Sequence, residues 1–191
     1  MGQLLDKIQI PQDRFEIRLS GSGGQGMILA SVILSEAIGK DDSKNVVQTQ
    51  SYGPEARGGA SKADVVVSVN EVYYPKAMKL DLLLTMTQES LDSYYSELKE
   101  GGLLIVDTGL CTNLPDHDYY GLPITQLARQ EVGIVMVANV VALGAIAAIT
   151  GIVSKEDLIE AVLHRAPKGT EEKNKRAVEI GFREGEKLKK N

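Results

Sequence analysis

The sequence predicts an α/β fold: a Rossmann-like, open, mostly parallel sheet flanked by helices, with a helical C-terminal third. Phe15, Ile17 and Leu19 alternate with charged residues, which is typical of a strand, and the apolar residues of 27–38 recur at helical spacing before Gly39. A glycine-rich loop joins these two segments. Short apolar segments then alternate with helical ones, as expected for a sheet with crossover helices.

The remaining elements follow in chain order. Further strands are predicted over 46–50, 63–69, 81–87 and 103–108, of which the last two are apolar enough to be buried. Helices are predicted over 88–100, 123–130, 138–150 and 171–189, and another begins at a capping box of Ser154 and Asp157. The small residues of 138–150 predict close packing against the sheet or against another subunit.

Length and composition describe one globular unit. The chain has 191 residues, of which 43% are hydrophobic and 25% are charged, with a pI near 5.2. We therefore expect a single domain over 1–191 with an acidic surface, which argues against nucleic acid as a partner. The first residues lack the apolar core of a signal peptide, and glycine and asparagine interrupt the longest apolar stretch. We expect a cytoplasmic protein without membrane contact.

The sequence offers little for a metal or redox centre. Cys111 is the only cysteine, so a disulfide within the chain and a cluster held by several thiolates are both excluded. His117 lies in the polar loop NLPDHDYY and His164 at a helix end, without other ligands near either. We expect no metal site and no catalytic residue on this chain.

The segment SGSGGQGM, residues 20–27, is the strongest candidate site. Gly21, Gly23 and Gly26 satisfy G-x-G-x-x-G between a strand and a helix, which suits binding of a phosphate by backbone N–H groups and the helix dipole. We expect Gly21 and Gly23 to adopt backbone angles that other residues avoid. The glycines would equally serve tight packing without a ligand. NAD is disfavoured because 48–51 has no Asp or Glu to hold the ribose.

A second glycine-rich segment, SYGPEARGGASKAD, covers residues 51–64 at the end of the second strand. Tyr52, Glu55 and Arg57 bring an aromatic ring, a carboxylate and a guanidinium into one loop. Because ligands meet the carboxyl ends of strands in open α/β sheets, this loop and the glycine loop are expected to face one crevice. The alternative is a surface hairpin with solvated Glu55 and Arg57.

Four segments carry distinctive patterns in a fixed order: GSGGQG, SYGPEARGG, ANVVALGAI and KNKRAVEIG. Together they resemble the gamma subunit of 2-oxoacid:ferredoxin oxidoreductases. The resemblance runs from Phe15 to Gly181 and includes Asn139 and Asn174 in matching helical contexts. One glycine motif alone is weakly specific, whereas the ordered combination is specific.

The resemblance implies a share in the oxidative decarboxylation of a 2-oxoacid to its acyl-CoA, with ferredoxin as the electron acceptor. It implies alpha and beta subunits that hold thiamine diphosphate and Mg²⁺, and a ferredoxin-like delta subunit with iron–sulfur clusters. This chain is then a non-catalytic subunit that binds no cofactor alone. The loop SYGPEARGG looks most like the 2-oxoglutarate branch, with pyruvate and ketoisovalerate enzymes as relatives. A homo-oligomer is expected when the chain is expressed without its partners.

The resemblance also directs attention to two sets of site residues. The first set is the glycine loop, expected to contact CoA or another anion: Gly21, Ser22, Gly23, Gly24, Gln25 and Gly26. The second set is the expected subunit junction: Tyr52, Glu55 and Arg57. CoA contact, contact with a partner's carboxylate, and simple packing of the two loops are open alternatives. A different class, an independent protein that uses GSGGQG to bind NAD or a flavin, would purify without partner chains.

Overall fold

A computed structural model describes residues 13–51 and 60–189, which are built around one six-stranded sheet. The strands are β1 (Phe15–Ser22), β2 (Asn45–Ser51), β3 (Ala60–Ser68), β4 (Leu80–Thr85), β5 (Leu98–Asp107) and β6 (Tyr119–Leu122). The helices are α1 (Met27–Ile38), α2 (Gln88–Tyr94), α3 (Ile124–Leu127), α4 (Ala138–Thr150), α5 (Lys155–Arg165) and α6 (Glu171–Lys189). The predicted α/β class and the helical C-terminal third are confirmed.

The strand order is β2-β3-β1-β4-β5-β6. Strands β1, β4, β5 and β6 run parallel, whereas β3 lies antiparallel between β1 and β2. The consecutive strands β2 and β3 pair along their length, with Asn45 opposite Ser68 and Ser51 opposite Lys62. The sheet is therefore mixed, and β1, β4, β5 and β6 form its parallel part. The carboxyl ends of β1, β4 and β5 lie at the same end of the sheet.

Helices cover both faces of the sheet. Ile17 and Leu19 of β1 pack in one large buried cluster with residues of α1, α4, α5 and α6. On the other face, Leu83 and Leu104 pack with Leu91 of α2 in a smaller cluster. Alternate residues of a strand point to opposite faces, so β4 and β5 contribute to both clusters. This arrangement fixes the strand ends from which the candidate site is built.

Helix α4 packs closely against α6 through glycine. A Cβ atom on Gly144 would lie 2.9 Å from the backbone nitrogen of Phe182, and one on Gly181 would lie 3.0 Å from that of Ala145. Any larger residue at either position would separate the two helices. The small-residue helix does pack closely, as predicted, but the element that its glycine approaches is α6 of the same chain, which was not among the predicted neighbours.

Three predicted elements need correction. The helix predicted over 88–100 ends at Tyr94, since β5 begins at Leu98 and continues across a bulge in which Gly101 has a φ of 73°. The expected polar loop NLPDHDYY leads into β6, a short edge strand that pairs with β5. The helix predicted over 123–130 is α3, followed by one wider turn over Ala128–Val132.

Candidate functional site

The glycine loop lies at the carboxyl edge of the sheet. It joins the end of β1 at Ser22 to the start of α1 at Met27. Beside it, β4 ends at Thr85, and the backbone nitrogen of Met86 donates a 2.9 Å hydrogen bond to the carbonyl oxygen of Ser20. The loop therefore stands at the strand ends where open α/β sheets bind ligands.

Two glycines of the loop adopt left-handed backbone conformations. Gly24 has a φ of 91° and Gly26 a φ of 74°, angles that residues with a Cβ rarely adopt. Gly21 and Gly23 do not have a positive φ, so the expectation that these two glycines supply the unusual backbone angles is wrong. The reason is that Gly21 still belongs to β1 and pairs with Ser61, so the chain turns later. At Gly23 a Cβ would meet no atom of the described residues within 4 Å.

Gln25 holds the loop in shape from within. Its Oε1 atom accepts a 2.8 Å hydrogen bond from the backbone nitrogen of Ser22, and its Nε2 atom donates to the carbonyl oxygen of Met86 at 3.4 Å. The same side chain fills the space that a Cβ on Gly21 would need. A Cβ at Gly21 would therefore displace the Gln25 amide, which ties the loop to the residue that follows β4.

Asn139, at the start of α4, holds the end of the loop. Its side-chain amide donates a 3.2 Å hydrogen bond to the carbonyl oxygen of Gly26. A Cβ on Gly26 would lie 2.6 Å from the Nδ2 atom of Asn139, so only glycine allows this approach. The sequence pattern places both residues in distinctive segments but does not reveal that they touch.

The start of α1 is suited to an anion. Gly26 precedes the helix and provides no side-chain cap, and the first turn contains no acidic residue. The first N–H groups of a helix lack partners within it, and the helix dipole places partial positive charge there. Gly23 and Gly24 are exposed in front of this helix end. A phosphate or carboxylate would gain hydrogen bonds and a favourable dipole at this position.

The second predicted loop begins beside the first one. Tyr52, Glu55 and Arg57 lie outside the described residues. The flanking strand residue Ala60 pairs with Ser22, and the hydroxyl of Ser61 donates a 3.2 Å hydrogen bond to the carbonyl oxygen of Gly21. The chain therefore enters and leaves 52–59 at the edge that holds the glycine loop, and the role of the three residues stays a prediction.

A buried ion-pair network lies on the α2 face of the same strands and was not predicted. Arg18 is 1% exposed and donates hydrogen bonds of 2.7 and 2.9 Å to the carboxylate of Asp64, directly across the strand pair. A carboxylate oxygen of Glu97 lies 2.6 Å from Arg18, and the guanidinium stacks 5.1 Å from the ring centre of Tyr94. Burial alone would lower the pKa of Arg18, but the two carboxylates outweigh it and raise that pKa. Arg18 between Ile17 and Leu19, and Asp64 between Ala63 and Val65, were the available signal.

Cys111 and the histidines have ordinary structural surroundings. Cys111 is buried beneath the end of β5, and burial is the main reason why its thiol pKa is raised. His117 hydrogen bonds to the carbonyl oxygen of Gly102, and His164 contacts Glu36.

Within residues 13–51 and 60–189, no group of three His, Cys, Asp or Glu residues is placed to hold a metal ion. In the same residues, no helix is both long and apolar enough to cross a membrane.

The family model of pyruvate ferredoxin/flavodoxin oxidoreductase matches residues 16–184. The chain belongs to this family. The matched residues include all six described strands except the first residue of β1, and they include the glycine loop and Asn139. The resemblance stated from the four sequence segments is therefore confirmed.

Curated members of this oxidoreductase family resemble the chain over most of its length. The 2-oxoglutarate synthase subunit KorC of Methanocaldococcus jannaschii is 49% identical over 179 residues, which cover 92% of this chain and 96% of the relative. The pyruvate synthase subunit PorC of Methanothermobacter thermautotrophicus is 30% identical and covers 92% of this chain and 98% of the relative. The chain is thus more similar to the 2-oxoglutarate subunit than to the pyruvate subunit.

Solved structures of the family share the fold. A keto/oxoacid ferredoxin oxidoreductase gamma subunit from Geobacter sulfurreducens PCA matches with a TM-score of 0.82 and 49% identity, covering 90% of this chain and 96% of that one. A 2-oxoglutarate:ferredoxin oxidoreductase from Magnetococcus marinus, with 2-oxoglutarate, coenzyme A and succinyl-CoA bound, matches with a TM-score of 0.75 at 22% identity. It covers 93% of this chain and 31% of that one, and this match supports the fold alone.

Proposed function

We propose that the chain is the gamma subunit of a 2-oxoglutarate:ferredoxin oxidoreductase. The complex would convert 2-oxoglutarate and CoA to succinyl-CoA, CO₂ and a proton, while two electrons pass to two oxidised ferredoxin molecules. The similarity to KorC over nearly the whole chain supports 2-oxoglutarate as the substrate. The partners would be alpha and beta subunits and a ferredoxin-like delta subunit.

The chemistry of the reaction would belong to the partner subunits. An iron–sulfur cluster needs several thiolates, and this chain has one cysteine, so the clusters would be held elsewhere. Thiamine diphosphate with Mg²⁺ would be held by the alpha and beta subunits and would supply the electron sink for decarboxylation. We expect no site for either group on this chain, and its proposed contribution is binding and assembly.

The glycine loop is the proposed contribution to CoA binding. The observation that carries this proposal is the uncapped start of α1 behind the exposed residues Gly23 and Gly24. CoA carries phosphate groups, and a helix N-terminus that follows a glycine turn suits a phosphate. A carboxylate from a partner subunit is the second candidate for the same position, because it would gain from the same N–H groups and dipole.

A surface suited to partner subunits lies at the opposite edge of the sheet. The connection 69–79 exposes Tyr73 at 85% and Met78 at 63% of their surfaces. Arg14 donates to backbone carbonyl oxygens of this connection, and the buried carboxylate of Glu16 accepts from the backbone nitrogens of Met78 and Lys79. A connection held rigidly while it exposes an aromatic ring and a methionine supports a role in assembly, because such residues are enriched in interfaces.

The function is tested by reconstitution. The chain is co-expressed with the other subunits of the oxidoreductase from the same organism, and ferredoxin reduction is measured with 2-oxoglutarate and CoA, then with pyruvate. We expect a stable complex that prefers 2-oxoglutarate and loses activity when this chain is omitted. A chain that purifies without the other subunits and carries NAD or a flavin would contradict the proposal.

A further inference from the structure

A pocket of about 210 Å³ lies beside the glycine loop. It is enclosed by α1, the start of α4, the end of α5 and the start of α6. Leu29, in the first turn of α1, lines it, and so does Asn139, whose amide contacts the loop at Gly26. Asn174 of α6 lines the same pocket. The two asparagines of the family-like segments, 35 positions apart (174 − 139), thus share one pocket.

The pocket combines an apolar wall with positive charge. Among the described residues that line it, the charged ones are Arg165 and Lys173, and none is acidic. Arg165 already donates a 2.8 Å hydrogen bond to Glu36, whereas Lys173 forms no ion pair within the described part of the chain. The pocket therefore favours an occupant that is apolar and carries a carboxylate near Lys173.

Exposed apolar side chains surround the mouth of the pocket. Met136 is 86% exposed and Leu29 is 45% exposed, so apolar surface continues outside the cavity. The pocket itself, about 210 Å³, is smaller than the roughly 300–1,000 Å³ typical of small-molecule sites. It suits one or two side chains of a protein segment that also covers the rim.

We propose that this pocket docks a segment of a partner subunit in which a large apolar side chain stands next to an Asp or Glu. The apolar side chain fills the pocket between α1 and α4, and the carboxylate pairs with Lys173. The inference rests on the proposed function in one respect, namely that the partners are the other subunits of the oxidoreductase. The segment would lie directly beside the glycine loop and so couple assembly to that site.

Cross-linking of the assembled complex identifies the segment. A carbodiimide joins the Nζ atom of a lysine to a carboxylate in direct contact as an amide, with loss of water, and mass spectrometry locates the link. We expect a link from Lys173 to an Asp or Glu of a partner subunit, within about two residues of a Leu, Ile, Val, Met or Phe. Links from Lys173 only to carboxylates of its own chain would overturn the proposal.

Binding measurements with matched variants provide the second readout. Lys173→Glu and Met136→Glu should each weaken binding to the other subunits about tenfold or more. Lys175→Glu, which changes the same charge on the same helix outside the pocket lining, should stay within about twofold of the unmodified chain. Circular dichroism confirms that each variant is folded, as expected for exposed positions. Equal affinities for all three variants would contradict the proposal.

Further results distinguish a partner subunit from a second copy of this chain as the occupant. They also distinguish failure of the docking inference from failure of the proposed function. If Met136→Glu converts a dimer of the isolated chain to a monomer and leaves binding to the other subunits unchanged, the pocket docks a second copy and the proposal is wrong. If the unmodified chain forms no complex at all, the proposed function fails as well. If it forms one and the pocket variants bind equally well, only the docking inference fails.

Discussion

Asn139 donates a hydrogen bond from its side-chain amide to the carbonyl oxygen of Gly26, a residue 113 positions earlier in the chain. This contact joins the start of α4 to the start of α1. Asn139 is 5% exposed, and Gly26 has a left-handed φ of 74°. The shape of the glycine loop is therefore set partly by a helix from the C-terminal third of the chain.

Asn139→Ala should destabilise the fold. The change removes the hydrogen bond to Gly26 and leaves a small cavity, so we expect a loss of about 1–3 kcal/mol in the free energy of unfolding. Urea denaturation of the full chain measures it. Asn113→Ala, at an exposed position, is the control and should change the free energy by less than about 0.5 kcal/mol. Equal stability of the two variants would show that the contact carries no energy.

Two glycines of one loop should differ in their tolerance of alanine. Gly26→Ala places a Cβ against Asn139 and forces alanine into a left-handed backbone, so it should cost about 1–3 kcal/mol. The Cβ of Gly23→Ala would meet no atom of the described residues within 4 Å, so this change should alter stability by less than about 1 kcal/mol. Thermal or urea unfolding distinguishes them. The reverse order of the two effects would refute the described loop geometry.

Arg18→Met should be among the most destabilising single changes. It leaves the Asp64 carboxylate without its buried partner, at a cost of about 3–5 kcal/mol. The double variant Arg18→Met/Asp64→Leu removes both charges of this pair, leaves the more exposed Glu97, and should recover a large part of that loss. Urea denaturation of the two variants provides the comparison. If the double variant is no more stable than Arg18→Met, the loss does not come from an unpaired charge.

Glu16 should make stability depend on acid pH. Burial would raise its pKa, but Arg14 and the backbone nitrogens of Lys79 and Met78 outweigh burial and lower that pKa in the folded state. Its contribution is therefore fully present above the ordinary glutamate pKa of about 4.3 and is lost as the pH falls through its lower folded value. Unfolding is measured for the unmodified chain and Glu16→Gln between neutral pH and about pH 3. The difference in free energy of unfolding between the unmodified chain and Glu16→Gln should become smaller as the pH falls. A difference that stays constant would contradict the stabilising role of the Glu16 carboxylate.

The local part of the fold was predictable because periodicity and capping act over a few residues. The bounds of α1 and α4 agree with the predicted ones, and Ser154 caps α5 by accepting from the backbone nitrogen of Asp157. The antiparallel position of β3 and the edge strand β6 depend on pairing with distant strands, which residue pattern alone does not specify.

The site was predictable as a segment but not as a set of contacts. GSGGQG marks the loop, yet which glycine needs a left-handed φ depends on where β1 stops pairing with β3. The tether from Gln25 to Met86 and the bond from Asn139 to Gly26 span 61 and 113 positions. Arg18 and Asp64 meet only because their strands are neighbours in the sheet.

The most direct test of the central claim is the Michaelis constant for CoA of the assembled enzyme with Gly23→Val. A Cβ at this position would meet no atom of the described residues within 4 Å, so we expect valine to occupy the space in front of α1 without displacing the described part of the loop. We predict assembly as for the unmodified enzyme, unchanged turnover at saturating CoA, and a KM for CoA raised about tenfold, equivalent to roughly 1.4 kcal/mol of binding. Failed assembly would instead assign the loop to a partner subunit, and an intact enzyme with an unchanged KM for CoA would contradict the anion site.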